Sequence, residues 1–187
     1  MKSLKTIQVL ANVGKILSKI VFIFCCIGFC GCIISLICLG LGVAETIHMG
    51  DFTLYTGIAE YAGLNQPTLF AGIAVGLVFC TVEGILSKTA ELYFKHELAD
   101  GTPFTLRGAN ELKRLGVLTI VLPLAATILC VIGVAIAESF DPEITRISVD
   151  GFASVGLGIM MLILSLFCRY GVEVSEGKAM GYNAEKE

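Results

Sequence analysis

Residues 20–44 read IVFIFCCIGFCGCIISLICLGLGVA, which is 25 consecutive residues without a charge between Lys19 and Glu45. A helix rises about 1.5 Å per residue, so roughly 20 apolar residues cross a hydrocarbon core about 30 Å thick. No water reaches the backbone in lipid, and only a helix lets one such segment satisfy its own donors and acceptors. The run is also far longer than the apolar part of a secretory signal, which is about 7–15 residues. It reads as an anchor. Three more intervals behave alike: Glu60 to Glu83 encloses 22 uncharged residues, Arg114 to Glu138 encloses 23, and Asp150 to Arg169 encloses 18. The predicted spans are 20–43, 67–86, 115–137 and 151–169.

Composition agrees with that reading. Hydrophobic residues make up 56% of the 187, charged residues 16%, and the mean hydropathy is +0.86. A soluble domain carries about a quarter charged residues, and its bundle helices keep one polar face. These runs are apolar all round. The expected class is all-α, a four-helix transmembrane bundle forming a single membrane domain over 1–187.

The net charge of −3 hides a strong asymmetry. Lys2, Lys5, Lys15 and Lys19 precede the first span. Lys88, Lys95, Arg107, Lys113 and Arg114 lie between the second and third, and Arg169, Lys178 and Lys186 follow the fourth. Those are 12 of the 13 basic residues, all on one side. The positive-inside rule makes that side cytoplasmic, so both termini and the 87–114 connection are expected inside. The acidic loops, 44–66 and 138–150, are expected outside.

Local signals refine the elements. Leu4, Ile7, Leu10, Val13 and Leu17 recur at helical spacing, fitting either a basic amphipathic helix on the inner membrane face or an extension of the first span. Pro67 suits the first turn of the second span. That span is predicted to run on past Lys88 through good helix formers, stopping at Asp100-Gly101. Thr105 is a candidate N-cap for a short helix through Leu112 that leads at Gly116 into the third span. Asp141-Pro142 marks an outer turn. Pro123 implies a kink in the third span.

Eight cysteines fall within the spans and none in an outer loop. Membrane disulfide transfer needs cysteines near the oxidising face, usually as Cys-x-x-Cys, and that pairing is missing. A soft-metal site from Cys25 to Cys32 competes with simple packing of a small hydrophobe, and packing is the expectation. No metal or cofactor is expected. Glu83 is the acid inside a hydrophobic run, five residues before Lys88, and such a residue is a functional candidate by default. Lys19, Arg114 and Arg169 are its expected ion-pair partners; proton coupling is the sharper alternative. Gly72 and Gly76 form a small-x-x-x-small pair that suits packing within the bundle or a homo-oligomer. No phosphate loop and no nucleophile elbow occurs.

The stretch Asp100-Gly101-Thr102-Pro103-Phe104-Thr105, followed by Asn110-Glu111-Leu112-Lys113-Arg114-Leu115-Gly116, resembles one family. It is the YoaS-like family of small bacterial four-helix membrane proteins, a group of unknown function. Members share a Gly-x-Pro-Phe turn between spans two and three, a later Asn, and a basic-Leu-Gly start to span three. The ending Phe167-Cys168-Arg169-Tyr170-Gly171-Val172-Glu173, with Glu176 after it, is similar to the family's Phe-x-x-Gly and acid, with Cys168 where Phe stands in the family. Gly177 to Glu187 departs from the family's acidic, Thr-containing tail. The resemblance implies a bacterial plasma membrane; the family's genes often lie beside one for a small helix-turn-helix regulator, which implies a signalling or regulatory link. It implies no catalytic residues.

The expected function is therefore non-enzymatic: interaction with a cytoplasmic protein as a sensor, regulatory or immunity-type component. Gly101, Pro103, Phe104, Asn110, Arg114 and Gly116 form the candidate motif. The alternative is a small oligomeric transporter or channel with Glu83 on its pathway. The lipid bilayer is the expected environment, and nucleic acid is not an expected direct ligand.

Overall fold

A computed structural model describes residues 2–41, 46–49, 52–55, 66–101, 105–140 and 153–184. Helix α1 covers Lys2–Gly40, and strands β1 (Thr46–Met49) and β2 (Phe52–Tyr55) follow. Then come α2 (Gln66–Asp100), α3 (Leu106–Phe140) and α4 (Ala153–Ala184). The helices contain 39, 35, 35 and 32 residues, so at 1.5 Å per residue each is roughly 48–58 Å long. All four are long and apolar enough to cross a membrane, and each is longer than its uncharged run requires.

Several local readings meet the structure directly. Residues 2–40 form one helix, so the amphipathic start is an extension of the first span and not a separate surface helix. Gln66 opens α2 with Pro67 in its first turn. The helix ends at Asp100, and Gly101 stands at φ 71°, where a glycine closes a helix without Cβ strain. Its amide donates to the Glu97 carbonyl at 3.1 Å. Thr105 Oγ1 accepts from the Gly108 amide at 2.9 Å, which is the N-cap geometry. What it caps is longer than expected, because α3 continues through Leu112, Gly116 and Pro123 to Phe140.

The connection 44–66 holds secondary structure that the reading of its charge did not predict. Within it β1 and β2 pair antiparallel, Thr46 opposite Tyr55 and Met49 opposite Phe52. The signal was legible. Thr-Ile-His-Met and Phe-Thr-Leu-Tyr are rich in strand formers and stand two residues apart, with Gly50-Asp51 between. Residues 141–152, with the Asp141-Pro142 turn, and residues 185–187 lie outside the described residues.

The chain forms two compact units. The first comprises residues 1–22, 85–122 and 152–187, and the second 23–84 and 123–151. Interior positions of the first unit include Ala11, Tyr93, Ala109, Leu112, Leu115 and Val172, and those of the second include Leu69, Ala126 and Cys130. Many exposed helix positions are also large and apolar, Phe24 and Leu166 each at 67%. Such outward-facing apolar side chains suit a lipid solvent, in which close packing takes the place of hydrophobic drive between helices. Three hydroxyls in the runs are satisfied within their own helices: Thr81, Thr119 and Thr127 donate at 2.8 Å to the carbonyls four residues back.

Candidate functional site

The candidate motif lies where α2 and α3 meet in the first unit. Gly101 and the Thr105 cap reverse the chain, so the last turns of α2 run beside the first turns of α3. Glu111 joins them. Its carboxylate accepts from His96 Nδ1 at 2.8 Å and from Arg107 Nε at 3.1 Å. These groups are half-exposed, so the clamp orients the hairpin more than it stabilises it; such pairs contribute about 0–1 kcal/mol. Arg107 and Glu111 are an i, i+4 pair that sequence spacing could have shown. His96 could not have been found that way, because it depends on the fold of α2 against α3.

Beside the clamp, the Tyr93 ring is buried and meets Phe94 edge-on, with centroids 5.3 Å apart at 62°. Phe94 occupies the space that a side chain on Gly14 of α1 would fill, its ring atoms starting 2.7 Å from that Cβ position. On α4, Ser165 donates to the Ala109 carbonyl of α3 at 2.9 Å. Lys88 pairs with Glu91 at 2.8 Å and stands 5.3 Å from the Phe22 ring. The Lys88 ammonium holds the Glu91 carboxyl below the usual range.

Burial pushes the Glu97 carboxyl above the ordinary carboxylate value, and its contact with the Tyr93 hydroxyl only partly offsets this. Burial likewise raises the Tyr93 phenol, with Glu97 beside it adding to the effect. A carboxyl raised by folding binds its proton more tightly in the folded state. Its contribution is therefore fully present below the unfolded value and is lost as pH rises through the folded one. Glu97→Gln is expected to raise the melting temperature at neutral pH and to flatten its decline as pH rises above the ordinary carboxylate range. A variant with the wild-type pH profile would assign that decline to another group.

The predicted motif residues have unequal standing. Asn110 and Arg114 are exposed on α3. Gly116 is buried at a helix crossing: a Cβ there would lie 3.0 Å from the Gly158 carbonyl oxygen of α4. Gly101 is the helix stop. Pro103 and Phe104 lie outside the described residues.

Glu83 is exposed on α2 and takes part in no ion pair among the described residues. The expected partners are corrected accordingly. Arg169 pairs with Glu173 of its own helix at 3.2 Å, Lys19 acts on Glu91, and Arg114 is in no ion pair among the described residues. Local i, i+4 geometry explains the choice of Arg169, since it holds the pair without bringing two helices together.

The glycine pair divides as well. Gly76 faces Cys32 Sγ, which is 3.6 Å from its Cβ position, while Gly72 has nothing within 4 Å. Packing within the bundle therefore uses Gly76 and leaves Gly72 open. In the second unit α2 and α3 line a cavity of about 240 Å³ with Ala71, Val75, Val78, Cys130, Val134 and Ala137, all apolar. No group of three His, Cys, Asp or Glu side chains among the described residues is arranged to hold a metal ion. Compared with known proteins, the chain matches no family model, no curated protein and no solved structure.

Proposed function

We propose that this chain is a multi-pass protein of a bacterial plasma membrane, with both termini and the 87–114 connection in the cytoplasm. On this reading it works without catalysis, holding a cytoplasmic protein at that face as a sensor, regulatory or immunity-type component. The observation that carries the reading is the stand-off of the α2–α3 hairpin. Lys88–Asp100 adds 13 helical residues beyond the uncharged run of α2, about 20 Å at helical rise. Its tip is braced by the Gly101 stop, the Thr105 cap and the Glu111 clamp, and it presents Asn110, Lys113 and Arg114 to solvent. Lipid anchoring alone has no use for a braced, charged projection; a complementary protein surface does. The charge asymmetry and the resemblance to YoaS-like proteins support the orientation and the membrane.

The test is affinity capture of the tagged full chain from gently solubilised membranes. A cytoplasmic protein should be recovered, and Phe104→Ala, Asn110→Ala or Arg114→Ala should lower its recovery roughly tenfold, a loss of about 1.4 kcal/mol. Undiminished recovery with all three variants, at equal membrane levels, would refute the idea.

One observation favours the transport alternative: Glu83 is a carboxylate beside a hydrophobic run with no ion pair among the described residues. The apolar lining of the second-unit cavity weighs against it, because an ion path needs polar groups. Glu83→Gln should leave flux through reconstituted vesicles unchanged on the reading proposed here.

A further inference from the structure

Helix α1 turns its small residues toward α2. Gly14 lies against the Phe94 ring, and Cys80 Sγ is 3.1 Å from the Cβ position of Gly28. Cys25 Cβ is 3.8 Å from the Cβ position of Gly84, and Cys32 Sγ 3.6 Å from that of Gly76. The side facing away from these contacts, which only the fold identifies, carries Val9, Val13, Ile16, Ile20, Ile23, Ile27, Cys30, Ile34 and Ile37. All are exposed, the Val and Ile residues at 43–64%. The steps between them alternate four and three without a break. That is a heptad repeat whose two apolar positions hold Val or Ile throughout, apart from Cys30. Helix α1 is also the least covered of the four: none of its most apolar stretch is buried, against 17% in each of the other spans.

We propose that this stripe is an interface between copies of the chain, with α1 of each copy packed in parallel against α1 of its neighbours. Lipid asks only that a helix face be apolar and imposes no period on it. A seam between helices does, because a 3.5-residue repeat holds it together where 3.6 would let it drift by about 20° per heptad. The stripe also begins too early for lipid. Val9, Val13 and Ile16 precede Lys19 and the uncharged run, and Val9 stands about 16 Å short of that run by helical rise. A neighbouring α1 covers these positions in the same register as the rest. Every copy crosses the membrane in one sense, so the α1 helices run parallel and each layer meets its own counterpart. The eight Val and Ile residues leave roughly 700–800 Å² of surface exposed on one copy, about what one partner of a standard interface buries. Branched residues at both apolar positions favour three or more strands over two, so a trimer is the expected size. Cys30 then meets Cys30 of the adjacent copy, while Cys26, also exposed, flanks the seam. Self-association of α1 needs no cytoplasmic partner.

The experiment uses the full chain, with one fluorophore on its amino terminus, in phosphatidylcholine vesicles of increasing lipid dilution. Single particles should bleach in several steps at dilutions where chance co-occupancy predicts one. Combining Ile20→Trp with Ile27→Trp overpacks two layers and should weaken association roughly tenfold, about 1.4 kcal/mol. Gly72→Leu, on the open glycine of α2, should leave it unchanged. Copper phenanthroline should join wild-type chains through Cys30, as read by peptide mapping. Cys30→Ser should abolish that linked dimer and keep the bleaching steps. Single steps at every dilution would mean that lipid alone covers the face and would overturn the proposal. Linkage through Cys26 in equal yield would do the same, as would dispersal by Gly72→Leu in place of the tryptophan pair.

Discussion

Gly158→Val is expected to force α4 away from α3 and to lower the melting temperature of the purified protein by about 2–12 °C. A Cβ on Gly158 would lie 2.4 Å from Ile120 Cγ1 and 2.9 Å from the Gly116 carbonyl oxygen. The isoleucine can rotate, but the carbonyl belongs to a helix backbone and cannot. The helices must separate. Separation then loosens the Ser165 bond to the Ala109 carbonyl at 2.9 Å and the Leu162 packing against Gly116. Overpacking a close-packed site costs about 1–3 kcal/mol, and each kcal/mol lowers the melting temperature of a chain this size by roughly 2–4 °C. Gly156→Ala, two residues away with nothing within 4 Å, is the control and should melt within about 0.5 kcal/mol of wild type. Equal melting of both variants would show that the α3–α4 contact does not depend on this crossing.

The second large effect concerns what surrounds the helices. Ile128 is 53% exposed on α3, 14 residues after Arg114 and 10 before Glu138. On a surface facing water, Ile128→Arg would be neutral within about 0.5 kcal/mol. At the centre of a membrane-crossing helix it costs about 2.5–3.5 kcal/mol of insertion free energy. The variant is expected to lose most of its alkali-resistant membrane fraction. Leu92→Arg, at a residue 44% exposed but beyond the uncharged run of α2, should retain it. If the two variants behave alike, the exposed apolar surface of α3 does not face lipid.

Those two variants also separate what was readable from what was not. The existence, number and approximate reach of the long helices came from intervals between charges, because in lipid each segment must satisfy its own backbone. The stops came from local chemistry, Gly101 and Thr105 among them. The β1–β2 hairpin carries a local turn signal, Gly50-Asp51 between two strand-rich tetrapeptides, inside an interhelical connection whose acidic charge is its more prominent feature.

The candidate site was less legible. Gly116 was singled out as part of an interaction motif, and the structure puts it in a helix crossing opposite Gly158. Gly72 and Gly76 looked like one pair by spacing, yet Cys32 covers only Gly76. His96 carries no local signal of its own, and only the fold of α2 against α3 brings it to Glu111.

What the sequence alone determined is the set of segments that must be helical and apolar, since charge spacing and backbone hydrogen bonding are properties of one helix at a time. What only the tertiary structure decided is which side of each helix meets a neighbour. Cys25 and Cys26 show the reason. They are adjacent in the chain but about 100° apart around a helix of 3.6 residues per turn. One faces Gly84 and the other is exposed. In a helix that is apolar all round, no hydrophobic pattern records that rotation. It is set by how the small residues of two helices fit together.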